Sequence, residues 1–86
     1  MFKIILHRNA AKFYRKADDA LKKKVTEAMD VIAQNPHLDG HIKKLKGSLK
    51  HMHRFRMGDL RILYEIDDVQ LIVWIKMIEW RGSAYK

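Results

Sequence analysis

The second half of the chain sets the tightest limit on what it can fold into. Between positions 51 and 78, three strand-length stretches rich in Val, Ile, Leu, Phe, Tyr and Trp are separated only by Met57-Gly58-Asp59 and Asp67-Asp68. Connections this short cannot hold the dozen or more residues of a parallel crossover, so the strands must fold back as antiparallel hairpins. The pattern predicts strands over residues 51–57, 60–66 and 69–78. In the second, Leu60, Ile62, Tyr64 and Ile66 share one face, which makes that face the core side. The third is apolar on both faces and belongs inside the sheet rather than at its edge.

Residues 2–6 read as a short opening strand with Phe2, Ile4 and Leu6 on one side. Asn9 then serves as a predicted N-cap for a helix over 10–16, buried along Phe13 and Tyr14. Asp18 caps a longer helix reaching about position 34. In that helix Leu21, Val25, Ala28 and Ile32 recur at spacings of four, three and four, which forms one apolar stripe, while Lys22, Lys23 and Glu27 lie off it. Asn35-Pro36 ends the helix, because a residue before proline avoids helical backbone angles. Residues 37–47, with Gly40, Gly47 and three lysines, read as a polar connection. The expected fold class is α+β in the order β-α-α-β-β-β. A helical hairpin packs on one face of a small, mostly antiparallel sheet, and residues 1–86 form one domain.

At 86 residues the chain buries about 60–65% of its unfolded surface, so the core is modest. A hydrophobic fraction of 48% argues for a folded globule rather than disorder. The chain has no cysteine, which excludes disulfide staples and thiolate metal sites and fits a reducing compartment. The longest apolar run, Leu71-Ile72-Val73-Trp74-Ile75, is far short of the roughly 18 residues of a membrane span. The N-terminus also lacks the pattern of a secretory signal. A cytoplasmic location, with no membrane partner, is the expectation. The net charge of +8 points to polyanionic partners: nucleic acid, an acidic protein or an anionic membrane face.

Strand alternation sorts the cations. Lys50, Met52, Arg54 and Arg56 point one way along the first hairpin strand, while Phe55 and its neighbours His53 and Met57 point to the core. Arg61 is out of phase with the core residues of the next strand and so faces the same open side. Arg81 ends the last strand and Tyr85 follows closely. The candidate site is therefore Arg54, Arg61, Arg81 and Tyr85, approached by Lys43, Lys44, Lys46, Lys50 and Arg56. A solvated cationic face would look much the same. The arginines favour a functional reading, because guanidinium grips phosphate bidentately and a neighbouring tyrosine can stack on a base of single-stranded RNA. Trp74 and Trp80 share parity; Trp74 is assigned to packing, and Trp80, beside Arg81, to the RNA-contacting set. The five histidines do not suggest a metal site. His37 and His41 flank Pro36 and Gly40, and no acidic pair accompanies His51 and His53.

Three segments together resemble the RelE/ParE toxin superfamily: Lys44-Leu45-Lys46-Gly47, the strand pair from Arg54-Phe55-Arg56 through Gly58-Asp59-Leu60-Arg61 to Tyr64, and the terminal Arg81-Gly82-Ser83-Ala84-Tyr85. The resemblance covers essentially the whole chain. It implies a toxin of a type II toxin–antitoxin system, and in RelE-like members a ribosome-dependent endoribonuclease needing no cofactor. In that chemistry the 2′-hydroxyl of mRNA attacks the adjacent phosphate. By position, Arg61 would stabilise developing charge, Arg81 would contact the scissile phosphate or assist the leaving group, and Tyr85 would orient the nucleotide. Arg54 stands where a lysine is common, and Met52 where active members carry a second lysine, so the general base is unassigned, with Lys50 a candidate. The implied partners are an acidic cognate antitoxin, with which the toxin would form a hetero-oligomer on operator DNA, together with the ribosome and mRNA. A ParE-like inhibitor of DNA gyrase, or a degenerate toxin retained for antitoxin binding, are the alternatives.

Overall fold

The computed structural model describes residues 1–37 and 40–81. β1 (Lys3–Leu6) leads directly into α1 (Arg8–Lys16) and α2 (Asp19–Gln34). β2 (Ile42–Lys44), β3 (His53–Met57), β4 (Leu60–Asp67) and β5 (Ile72–Trp80) follow. The helices cover one face of a five-stranded sheet ordered β1-β5-β4-β3-β2. β1 runs parallel to β5 and the other pairings are antiparallel. Among the described residues no helix is long and apolar enough to cross a membrane.

Local chemistry explains most boundaries. Asp18 caps α2 by accepting a hydrogen bond from the Leu21 amide at 2.8 Å. The stripe of Leu21, Val25, Ala28 and Ile32 is buried as its spacing requires. α1 begins earlier than predicted, at Arg8 with His7 rather than Asn9 in the cap position and no side-chain cap. The β3–β4 turn depends on Gly58, whose φ of 59° is one that side-chain-bearing residues rarely adopt. Past β4, the Asp67 carboxylate accepts from the amides of Val69 and Gln70, both at 3.0 Å. This turn delays β5 to Ile72, three residues later than the apolar pattern implies.

The connection over 37–47 is not wholly irregular. Its Ile42–Lys44 stretch pairs antiparallel with β3, Ile42 opposite Phe55 and Lys43 opposite Arg54. Three residues with two lysines give too little alternation to read as a strand, yet a short lysine-bearing strand suits a sheet edge that must resist pairing with other chains. β3 correspondingly starts at His53 rather than at position 51, because residues 47–49 form a single 3₁₀ turn.

A second departure lies in β5. Leu63 pairs with Met77 but Tyr64 pairs with Ile75, so Lys76 is an extra residue on the β5 side. Such a bulge reverses the parity of everything beyond it. Val73 and Ile75 before it, and Ile78 after it, all enter the core. Trp80 packs against the core, while Trp74, opposite Glu65, faces the other side. The shared parity predicted for the two tryptophans is thus broken by one residue.

The core joins both halves of the chain. Phe55, Leu60, Ile62, Tyr64, Val73 and Ile75 are fully buried under the helices. The buried Tyr64 hydroxyl donates to the Pro36 carbonyl at 2.7 Å, which satisfies its polar end and fixes the end of α2 to the sheet. Ile62→Ala should cost about 2–5 kcal/mol, the usual price of a cavity at a packed aliphatic site. Arg61→Ala, one position away on the open face, should cost less than about 1 kcal/mol. Denaturant titrations of both variants would return the opposite order if the assignment of faces were wrong.

Candidate nucleic-acid interface

The face of the sheet away from the helices collects positive charge in register. Lys43 lies opposite Arg54, and Arg56 lies opposite Arg61, so adjacent rows across β2, β3 and β4 carry cations. The two rows are two residues apart along β3, a separation of about 7 Å. Like charges placed directly opposite are mutually unfavourable. Among the described residues none of these four takes part in an ion pair. The Nε of Arg54 is buried without a hydrogen-bond partner, while its side chain lines a cavity of about 520 Å³ with His41, Lys43, Arg56 and two glycines, Gly40 and Gly58.

Arg81 lies just past β5, and its backbone amide donates to the Asp59 carbonyl at 3.0 Å. That bond anchors it beside the β3–β4 turn, at the end of the sheet that carries Arg56 and Arg61. Glu79, directly opposite Arg61 and exposed, is an acceptor on this face that sequence parity did not single out. The bulge hid it, because simple alternation from Ile75 puts Glu79 on the core side.

The remaining predicted residues divide. Tyr85 lies outside the described residues. Trp80 is not on the cationic face: it pairs with Leu60 on the core side, and Lys24 of α2 sits 5.4 Å from its ring centroid. Lys44, opposite His53, has the parity of the core face, and Lys50 sits in the turn before β3. Both line a separate cavity of about 590 Å³ with His37, His51, His53, Glu65, Ile66 and Asp68. Lys46 is exposed at the start of the 3₁₀ turn. Lys44 and Lys50 are therefore apart from the arginine rows, Lys44 by its parity in β2 and Lys50 because the chain turns where alternation into β3 was expected.

That second cavity has its own electrostatics. His37 Nε2 lies 2.7 Å from Asp68 Oδ1 and ties the end of α2 to the β4–β5 turn. The His53 ring stacks on Tyr64 with centroids 5.8 Å apart and meets His37 edge-on at 5.7 Å. Burial, followed by the charges of His37 and Lys44, pulls the His53 pKa below its ordinary 6.5, with Asp68 pulling the other way. Between the lowered folded value and 6.5, the unfolded chain binds a proton that the folded one refuses. The stability tied to neutral His53 is present above about 6.5 and is lost as pH falls below it. His53→Phe keeps an aromatic ring against Tyr64 but cannot titrate. Parallel unfolding curves should show wild type losing stability relative to this variant between pH 7 and 5, and a constant difference would contradict the assignment.

A helical hairpin packed on a mixed five-stranded sheet is the fold of the small toxins of the RelE/ParE superfamily. The structure matches the RelBE2 toxin–antitoxin complex of Mycobacterium tuberculosis with a TM-score of 0.82 and 25% identity, over 93% of this chain and 98% of that one. It matches the isolated E. coli RelE toxin with a TM-score of 0.77 and 16% identity, covering 99% and 92% of the two chains. A YoeB/ParE toxin from Agrobacterium tumefaciens matches with a TM-score of 0.79 and 14% identity, covering 94% and 100%. The family model of the ParE toxin of type II toxin–antitoxin systems matches residues 4–83, and the chain belongs to that family. The sequence has no match among curated proteins.

Proposed function

We propose that this type II toxin stops translation by cutting mRNA on the ribosome, and that an acidic antitoxin holds it in check. The observation that carries the reading is the pair of cationic rows, Lys43 with Arg54 and Arg56 with Arg61, on an open sheet face and without ion pairs among the described residues. In the proposed reaction the 2′-hydroxyl attacks the adjacent phosphorus and the bond to the 5′-oxygen breaks. The products are a cyclic phosphate and a 5′-hydroxyl end. Charge builds on the phosphorane oxygens, and preorganised guanidinium groups stabilise it. Arg61 and Arg81 take that role, and Arg54 and Arg56 hold the neighbouring backbone. Tyr85 orients the nucleotide. Arginine cannot accept the 2′-hydroxyl proton, since its pKa lies above about 12. Two glutamates lie on this face; Glu65 is engaged by Lys76 at 3.8 Å, and Glu79, opposite Arg61 in the register, is the one placed to take it.

The antitoxin reading draws on the +8 charge and on the complexes formed by RelE toxins of related fold. In the RelBE2 complex of Mycobacterium tuberculosis and the RelBE complex of E. coli the toxin is captured with its antitoxin. A second reading, a gyrase inhibitor without nuclease activity, is favoured by the match to the ParE family model.

Induced expression should halt translation and leave mRNAs broken within coding sequence, with 5′-hydroxyl ends detectable by end mapping. Arg61→Ala or Arg81→Ala should slow cleavage on purified ribosomes by about 10²–10³-fold, as expected for losing a principal electrostatic stabiliser. Glu79→Gln should slow it by about 10²–10⁴-fold, the range for a general base. Intact mRNA together with trapped gyrase–DNA breaks would replace the nuclease reading with the gyrase one.

A further inference from the structure

The Lys76 bulge leaves an aromatic group where alternation from the end of the strand would not put one. Trp74 lies on the same face as Arg54 and Arg61, half-buried, opposite Glu65 on β4 and Ile5 on β1. Trp80 has a cation over its ring, whereas Trp74 takes part in no ring contact, cation contact or hydrogen bond among the described residues. The charges next to it are balanced: Lys3 pairs with the neighbouring Ile72, which also lies opposite Asp67, and the bulge residue Lys76 reaches Glu65 at 3.8 Å. Strand spacing puts the Trp74 backbone about 12 Å from that of Arg54, so one short stretch of nucleic acid can engage both side chains.

We propose that Trp74 is the base-stacking platform of this face, with a nucleobase of single-stranded RNA lying on its indole while the adjoining phosphates run over Arg54, Arg56, Arg61 and Lys43. This rests on the RNA-contacting part of the reading above, but not on cleavage. An indole face accepts any base, and a cationic groove beside it follows the backbone, which is the usual arrangement for holding a single strand. The charge favours RNA over a protein partner as the occupant. A helix or strand from another protein would need its own acidic groups matched to the two rows, whereas a phosphodiester backbone carries one negative charge per nucleotide. The half-buried setting also suits the role, because a ring held on one side by the sheet loses little freedom when a base covers the other.

The test is a titration of purified toxin with a short single-stranded oligoribonucleotide whose 2′-hydroxyls are methylated to prevent cutting. In a Trp80→Phe background the only indole is Trp74, and its emission should be quenched as the oligonucleotide binds. Trp74→Ala should weaken binding by about 5- to 150-fold, the range for losing one base–aromatic stack. Trp74→Phe should stay within a few-fold of wild type, and Trp74→Leu should lose as much as Trp74→Ala. Leucine retains apolar volume but has no π-face, so rescue by leucine would overturn the proposal in favour of simple packing. Absence of quenching, or wild-type RNA affinity in Trp74→Ala, would overturn it as well. Retained RNA affinity with weakened capture of the cognate antitoxin would assign the face to a protein partner instead. Quenching and loss of affinity without any mRNA cleavage would leave this inference standing and remove the nuclease reading alone.

Discussion

Leu60, Ile62 and Tyr64 lie completely buried beneath the helical hairpin, and the pleat that buries them turns Arg61, Leu63 and Glu65 outward. This one-sided burial governs the rest of the molecule. Each buried aliphatic or aromatic side chain contributes about 1.5–3 kcal/mol, and shifting β4 by one residue would expose all of them together. The Tyr64–Pro36 hydrogen bond holds the hairpin over this strand, so the face left open is decided by the same contacts that stabilise the fold.

The open face is organised on a different principle. Rows of like charge contribute nothing to stability and cost a little, which water and salt moderate because these side chains are exposed or half-exposed. They persist across β2, β3 and β4 because the opposite face supplies the folding energy. The cationic surface and the apolar core are consequently separated by the thickness of one sheet. The short edge strand β2 serves both ends, since Lys43 extends the cationic surface and its two lysines discourage edge-to-edge pairing.

The β3–β4 hairpin also has two chemically distinct ends. Near its turn, Arg56, Arg61 and the anchored Arg81 gather with Glu79. At the far end His37, His53 and Asp68 line a cavity with Lys44 and Lys50, and burial holds the His53 pKa below its ordinary value. The first arrangement is suited to phosphate. The second makes the packing of the α2 end sensitive to acid.

Local patterns carried far in this chain. The α2 stripe, its Asp18 cap, the stop at Asn35-Pro36 and the core face of β4 were all legible in the sequence, because each depends on residues within one or two turns or pleats. The resemblance to RelE/ParE toxins was legible for the same reason, as its motif spans the contiguous β3–β4 hairpin. Arg54, Arg56 and Arg61 share a face as alternation requires. The rest depended on partners distant in the chain. β2 is a strand only because β3 offers it hydrogen bonds, and that pairing puts Lys44 opposite His53, while a 3₁₀ turn takes Lys50 out of β3. A bulge has no signature of its own in β5: Lys76 becomes an extra residue only when Ile75 and Met77 must pair with Tyr64 and Leu63. The sequence by itself determined which residues are apolar, which are charged, and the order of the two helices and the three hairpin strands. Which tryptophan meets the core, and which faces the cations, was decided by tertiary pairing, because one unpaired residue inverts the parity of all that follows.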